Sequence, residues 1–222
     1  MSESENIDPL LEPLAALQRL ISRFDEQGMI IGGLAASLLG KPRLTADLDA
    51  VILLSVERVP DLITAAGKEG FEPRLSKVTE FARTNRVLLL RHSRSGTDVD
   101  ISLGVLPFEV EAVQRSQVIN VGGIKIRLPS PEDLIILKAV AHRPKDILDI
   151  EAITASNPNL DWERVETWLQ EFAVVLEKPE IWDDAKKFRE RKLKFPVDAK
   201  ISSLASACSL MESSLQAVNA SE

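Results

Sequence analysis

The sequence has no tyrosine, one cysteine and an aromatic content of 5% over 222 residues. A base-stacking surface needs several exposed rings, so a platform for single-stranded nucleic acid is not expected. The lone thiol, Cys208, leaves no second cysteine for an internal disulfide and fits a reducing cytoplasm. It reads as a small apolar side chain on a C-terminal helix. No apolar run approaches the roughly 20 residues that span a bilayer, so no membrane partner is expected. The polar, acidic start MSESENIDPL is not read as a secretory signal. Positive charge is also scarce: 27 Lys and Arg face 34 Asp and Glu, for a net charge of −7. That balance argues against broad, sequence-independent binding to nucleic acid. One basic stretch runs the other way, KKFRERKLK from Lys186 to Lys194. It is either a solvated helix face or a local patch for a polyanion.

What is present is an ordinary globular profile, 45% hydrophobic and 27% charged. Apolar residues from Leu10 to Phe24 recur at helical spacing, and Gly28 closes that helix. Met29-Ile30-Ile31 is a short apolar run followed by Gly32-Gly33. Leu34 to Leu39 reads as a short helix, Asp47 to Leu54 as a strand that starts polar and ends buried, and Arg58 to Glu69 as a helix. Arg86 to Arg91 and Asp98 to Leu103 are strand-like and joined through Gly96. Phe108 to Arg115 reads as a helix. Gln117 to Asn120 and Ile124 to Leu128 flank a second hairpin signal at Gly122-Gly123. Ser130-Pro131-Glu132-Asp133 then opens a run of helices, with Ser at the cap and carboxylates near the positive dipole end. Pro144 and Asn157-Pro158 punctuate that run. Strands followed by helices give an α+β class. The expected division is 1–128 for a strand-containing domain and 129–222 for a helical C-terminal region.

Asp47-Leu48-Asp49 carries the chemistry. Alternate side chains of a strand share a face, so both carboxylates point one way and Leu48 the other. Paired carboxylates repel unless a cation lies between them. Oxygen ligands of this kind suit Mg²⁺ (or Mn²⁺), which takes one or two carboxylates plus substrate phosphates. Upstream, Gly32 and Gly33 follow an apolar strand and open a helix, where backbone N–H groups can approach a phosphate. Arg43 and Thr45 stand in the loop just before the carboxylates. Asp100 lies on a later strand between Val99 and Ile101. If that strand neighbours the first, it brings a third carboxylate, with Asp98 as the alternative. Three such groups could hold two metal ions about 3.5–4 Å apart. His92 and His142 read as structural or surface residues.

Gly32-Gly33, a short helix, then Arg43-x-Thr45-x-Asp47-x-Asp49 and an apolar run resembles the signature of the polymerase-β-type nucleotidyltransferase superfamily. A second likeness extends from Ser130-Pro131-Glu132-Asp133-Leu134 through Lys138 and Arg143-Pro144-Lys145-Asp146 to Asp149-Ile150. It resembles the bacterial AbiEii/AbiGii-type nucleotidyltransferases, whose toxin members belong to abortive-infection and toxin–antitoxin systems. The resemblance implies a small twisted mixed sheet flanked by helices, with a helical C-terminal region that completes the site. It implies transfer of a nucleoside monophosphate from an NTP to an acceptor hydroxyl. Asp47, Asp49 and Asp100 would hold metal. Gly32, Gly33, Arg43, Thr45 and Lys138 would bind nucleotide, and Asp146, or else Asp149, would be the late acidic residue. The acceptor is RNA (tRNA above all), protein or a small molecule, and a cognate antitoxin is a further expected partner. Two competing readings are a catalytically silent binding or regulatory protein of the same fold and a small-molecule, antibiotic-type enzyme.

Overall fold

The computed structural model describes residues 8–194. The C-terminal helix expected to carry Cys208 lies outside those residues. The first helix, α1, spans Asp8–Ser22, and Leu10, Leu14, Leu17, Leu20 and Ile21 recur every three or four residues along it, all buried. The chain turns through Asp25 and Glu26, both at positive φ, into strand β1, Gly28–Ile31. Helix α2 follows at once, Gly32–Leu39. Then come strand β2, Asp47–Leu53, a 3₁₀ turn at Val56–Arg58, helix α3, Val59–Lys68, strand β3, Phe71–Pro73, and helix α4, Val78–Asn85. Strands β4, Val87–His92, and β5, Asp98–Gly104, form the expected hairpin. Helix α5 is Pro107–Arg115, and β6, Gln117–Val121, pairs with β7, Ile124–Leu128. Four helices follow: α6, Pro131–Ala141, α7, Pro144–Ser156, α8, Trp162–Val175, and α9, Glu180–Lys194.

The main sheet runs β1-β2-β5-β4-β3. β2 and β5 are parallel, and the remaining pairs are antiparallel. This is the expected α+β architecture, a mixed sheet flanked by helices. The strands β2 and β5 alternate: Leu48, Ala50, Val99 and Ile101 are fully buried on one face, while Asp47, Asp49, Asp98 and Asp100 line the other. One hydrophobic cluster extends from Leu10 through the strands to Phe188, so sheet and C-terminal helices share a core.

Two local features bring the later helices to the sheet. Ser130 caps α6, its Oγ accepting the Asp133 amide at 3.2 Å. α7 then lies against the end of α2. A side chain at Gly40 would stand 2.9 Å from the Ala36 carbonyl oxygen, 3.1 Å from Ile153 N and 3.2 Å from Ala152 C. Only glycine lets these backbones approach so closely. The contact is sealed by Asn157 Nδ2 donating to Leu39 O at 2.8 Å and Ser156 Oγ donating to Gly40 O at 3.1 Å.

Candidate active site

The parallel register of β2 and β5 sets Asp47 beside Asp98 and Asp49 beside Asp100. The condition attached to Asp100 in the sequence is therefore met: its strand is the immediate neighbour. Asp47 and Asp49 differ from the other two in their partners. Thr45 Oγ1 donates to Asp47 Oδ1 at 2.9 Å, and Asp49 accepts the backbone amide of Gly33. Asp98 is held by Arg91 Nε at 2.7 Å and by Arg74 Nη1 at 3.0 Å, and Asp100 by Arg74 Nη2. Burial, and after it the charge of Asp47, pushes the Asp49 carboxyl above the usual range. Burial also raises Asp100, although Arg74 pulls the other way.

Gly32 fixes the approach of α2 to this pair. It has φ +67, and a Cβ there would fall 1.8 Å from Asp49 Oδ2. At Gly33 a Cβ would meet Thr45 Oγ1 at 2.6 Å and Arg43 Nη2 at 3.4 Å. The glycine pair, the threonine, the arginine and the DxD pair are thus in mutual contact at the N-terminus of α2. That end of the helix favours negative charge.

On the other side of the pair, Lys138 Nζ donates to Asp146 Oδ1 at 3.0 Å and to Asp149 Oδ2 at 2.8 Å. Arg143 Nε reaches Asp146 Oδ2 at 2.6 Å, and Arg43 Nε reaches Asp149 Oδ1 at 2.9 Å. Burial works against the charge on Asp146 and Asp149, but the two arginines and Lys138 more than offset it and hold both carboxyls below the ordinary range. Asp146 and Asp149, alternatives in the sequence, thus share one lysine. The side chain of Lys138 is 4% exposed. It lies inside the protein, paired with both carboxylates.

The sequence reading passed over Arg74, which follows the proline of β3 and carries no local signal. Arg143 stands in the sequence only within the run that leads to Asp146, with no role of its own. The histidines stand apart from the carboxylates. On β4, Arg91 faces Asp98, so His92 faces the core, where Nδ1 is 2.9 Å from Ser95 Oγ and the ring meets Phe71 edge-on. His142 Nε2 is 3.0 Å from Asp184 Oδ2 on α9.

Asp47 and Asp49 suit a divalent cation. They are half-buried to exposed, share a face, and make no ion pair with a side chain among the described residues. Asp100, by contrast, is engaged by Arg74. No group of three or more His, Cys, Asp or Glu among the described residues is arranged to hold a metal ion. Two carboxylates could hold a divalent ion only with further ligands from outside the protein, such as water or phosphate oxygens.

A family model described as "nucleotidyltransferase of unknown function (DUF6036)" matches residues 9–195. No curated protein matches the chain. Among solved structures, the antibiotic-resistance factor ANT(2'')-Ia is 18% identical, with 76% of this chain and 95% of that one covered and a TM-score of 0.50. An antigenic nucleotidyltransferase-like protein from Paracoccidioides brasiliensis is 20% identical, covering 82% of this chain and 93% of that one at a TM-score of 0.44. The Megavirus polyadenylate synthase is 13% identical, covering 69% of this chain and 33% of that one at 0.42. At these identities the likeness is one of fold. Among the described residues no helix is long and apolar enough to cross a membrane.

Proposed function

The chain belongs to the nucleotidyltransferase family of unknown function DUF6036, and from that premise we propose that it is a Mg²⁺-dependent enzyme that transfers a nucleoside monophosphate from an NTP to an acceptor hydroxyl. The observation that carries this reading is the seating of Asp49: Gly32 packed against its carboxylate, Asp47 on the same face and Asp100 next to it across the parallel ladder. A silent binding protein of the same fold has no physical need for two carboxylates left without an ion pair, as Asp47 and Asp49 are among the described residues.

In the proposed reaction Asp47 and Asp49 hold the cation that accompanies the triphosphate. Bound there, Mg²⁺ or Mn²⁺ neutralises phosphate charge and polarises the P–O bonds. The amides at the start of α2, with Arg43 and Thr45, orient the phosphates. The acceptor oxygen attacks the α-phosphorus, the bond to the bridging oxygen breaks, pyrophosphate leaves, and Asp100 takes the hydroxyl proton. Rate enhancement comes from positioning and from charge stabilisation.

Lys138 and the late carboxylates Asp146 and Asp149 are the AbiEii-like addition to this site, and their contact with one another supports counting them in it. An RNA acceptor, and with it a toxin role and an antitoxin partner, has weaker support. In the basic stretch, Lys187 pairs with Asp184 at 2.5 Å, Lys186 lies 3.5 Å from Asp183 and 4.8 Å from the Trp182 ring centroid, and Arg189 pairs with Glu166. Those three cations, the ones described in the stretch, are shared with acids or a ring and so are weak phosphate binders; a small hydroxylated molecule in the cytoplasm is the acceptor we favour.

The test is incubation with each α-labelled NTP and Mg²⁺ against separated pools of metabolites, RNA and protein. Label should enter the small-molecule pool and be lost with Asp49→Asn. Label in RNA would replace the acceptor assignment. No transfer to any pool by wild type, under conditions where it binds NTP, would leave a binding protein.

A further inference from the structure

Lys138 lies at the centre of a five-residue ion cluster drawn from three parts of the chain. The ammonium comes from α6, both carboxylates from α7, Arg143 from the residue before α7, and Arg43 from the loop before β2. Each carboxylate is used on both sides. Asp149 takes Arg43 through two parallel bonds, Nε to Oδ1 at 2.9 Å and Nη2 to Oδ2 at 3.0 Å, while its Oδ2 also accepts Lys138. Asp146 takes Arg143 through Nε at 2.6 Å and Nη2 at 3.1 Å, and its Oδ1 accepts Lys138. Exposure divides the three cations. The Lys138 side chain is 4% exposed, that of Arg43 37% and that of Arg143 55%.

We propose that Lys138 is a positioning residue that touches no substrate, and that the phosphate-binding cations are Arg43 and Arg143, aimed by Asp149 and Asp146 over the buried ammonium. Both guanidiniums are held in two-bond forks, which fix the plane of the group and present the remaining edge in one direction. Arg43 stands at the right place: its Nη2, which also bonds Asp149, is 3.4 Å from where a Cβ of Gly33 would be, at the start of α2. Arg143 joins the same cluster: its fork holds Asp146, which shares Lys138 with the Asp149 that holds Arg43. Burial opposes the charge on both carboxylates. Lys138 supplies the inner charge. The cluster then totals one net positive charge, all of its accessible part being guanidinium.

This inference rests on the nucleotide-binding reading of the site. It is tested by the binding of a non-cleavable α,β-methylene NTP and of the matching NMP, both with Mg²⁺, to the full chain. Arg43→Ala and Arg143→Ala should each weaken the triphosphate analogue by about tenfold, the loss of one charge-assisted contact, and leave NMP binding within about twofold. Lys138→Met should weaken it too, but should add nothing once both arginines are gone. A further loss in that triple variant would mean that Lys138 itself meets the phosphates, and overturns the proposal. Lys138→Met leaves two buried carboxylates short of a cation and tests folding as well as binding, so Asp149→Asn is the second arm. Removing a negative charge beside an anion site should, by charge alone, tighten binding. The proposal requires the opposite, a weakening close to that of Arg43→Ala. Tighter or equal binding by Asp149→Asn overturns it. Wild type that binds no triphosphate overturns the nucleotide reading along with it, whereas normal wild-type binding with unaffected variants removes only the clamp.

Discussion

At the scale of single residues, the site is governed by where a side chain is missing. Gly32 has both a positive φ and a carboxylate oxygen in the space of its absent Cβ. Gly96 shares the first property, φ +73, but nothing lies within 4 Å of its Cβ position. The pair separates backbone strain from site geometry. Gly96→Ala should lower stability by about 1–2 kcal/mol and leave nucleotide binding intact. Gly32→Ala carries the left-handed cost of about 1–2 kcal/mol and must also displace Asp49. It should abolish the thermal shift given by Mg²⁺ and NTP. Urea unfolding with and without nucleotide checks both, and equal nucleotide shifts in the two variants would mean that Gly32 does not set Asp49. Asp49 itself should be costly to the free protein. Its folded carboxyl binds a proton more tightly than an ordinary aspartate, so ionising it near neutral pH opposes folding. Asp49→Asn should therefore raise the stability of the nucleotide-free protein at pH 7 while eliminating transfer. The gain should fade as pH falls from the raised folded value toward the ordinary aspartate value of about 3.9.

At the scale of elements, the decisive contact is α7 against α2. It carries Asp146 and Asp149 to the carboxylate pair, and it depends on Gly40, whose Cβ would meet backbone atoms on both helices. Gly40→Ala should cost about 1–3 kcal/mol, as overpacking does, and should weaken nucleotide binding although every proposed ligand is still present. Unchanged affinity in a folded variant would show that α7 need not be held so closely. The ion cluster on α7 also has a distinct pH dependence. Asp146 and Asp149 are held below the ordinary range. Their contribution is complete above the unfolded value near 3.9 and is lost as pH falls through the lowered folded values. The stability difference between wild type and Asp149→Asn should be flat from about pH 8 to 5 and shrink only below about pH 4. A decline beginning near pH 6 would contradict the lowered values. The same scale explains what the sequence could tell. β2 and β5 were legible because polar and buried residues alternate along them, and α6 because Ser130-Pro131 announces it. β3 and α4 were not. β3 is three residues ending in Pro73, and α4 buries only Val78 and Ala82. Arg74 was invisible for the same reason: only the pairing of β3 with β4 carries it to Asp98 and Asp100. Arg43 could be suspected as a cation before DxD, but its fork with Asp149 spans 106 residues of chain, which no local pattern encodes.

For the whole molecule, net charge and the shared core act together. The chain carries a net charge of −7, and four aspartates line the site face of β2 and β5. A free triphosphate meets repulsion there, because the guanidiniums around the site, those of Arg43, Arg74, Arg91 and Arg143, are already shared with carboxylates. Binding should therefore depend on a divalent ion brought in with the nucleotide. Because one hydrophobic cluster joins the sheet to the C-terminal helices, site occupancy should stabilise the chain as a unit, in a single transition. At about 100 times its dissociation constant, Mg²⁺–NTP should add about 2.7 kcal/mol by mass action. For a chain of this length that raises the melting temperature by about 5–10 °C. Excess EDTA should remove the shift entirely. A full shift that survives chelation would show that side-chain cations alone neutralise the triphosphate, and Asp47 and Asp49 would need another purpose.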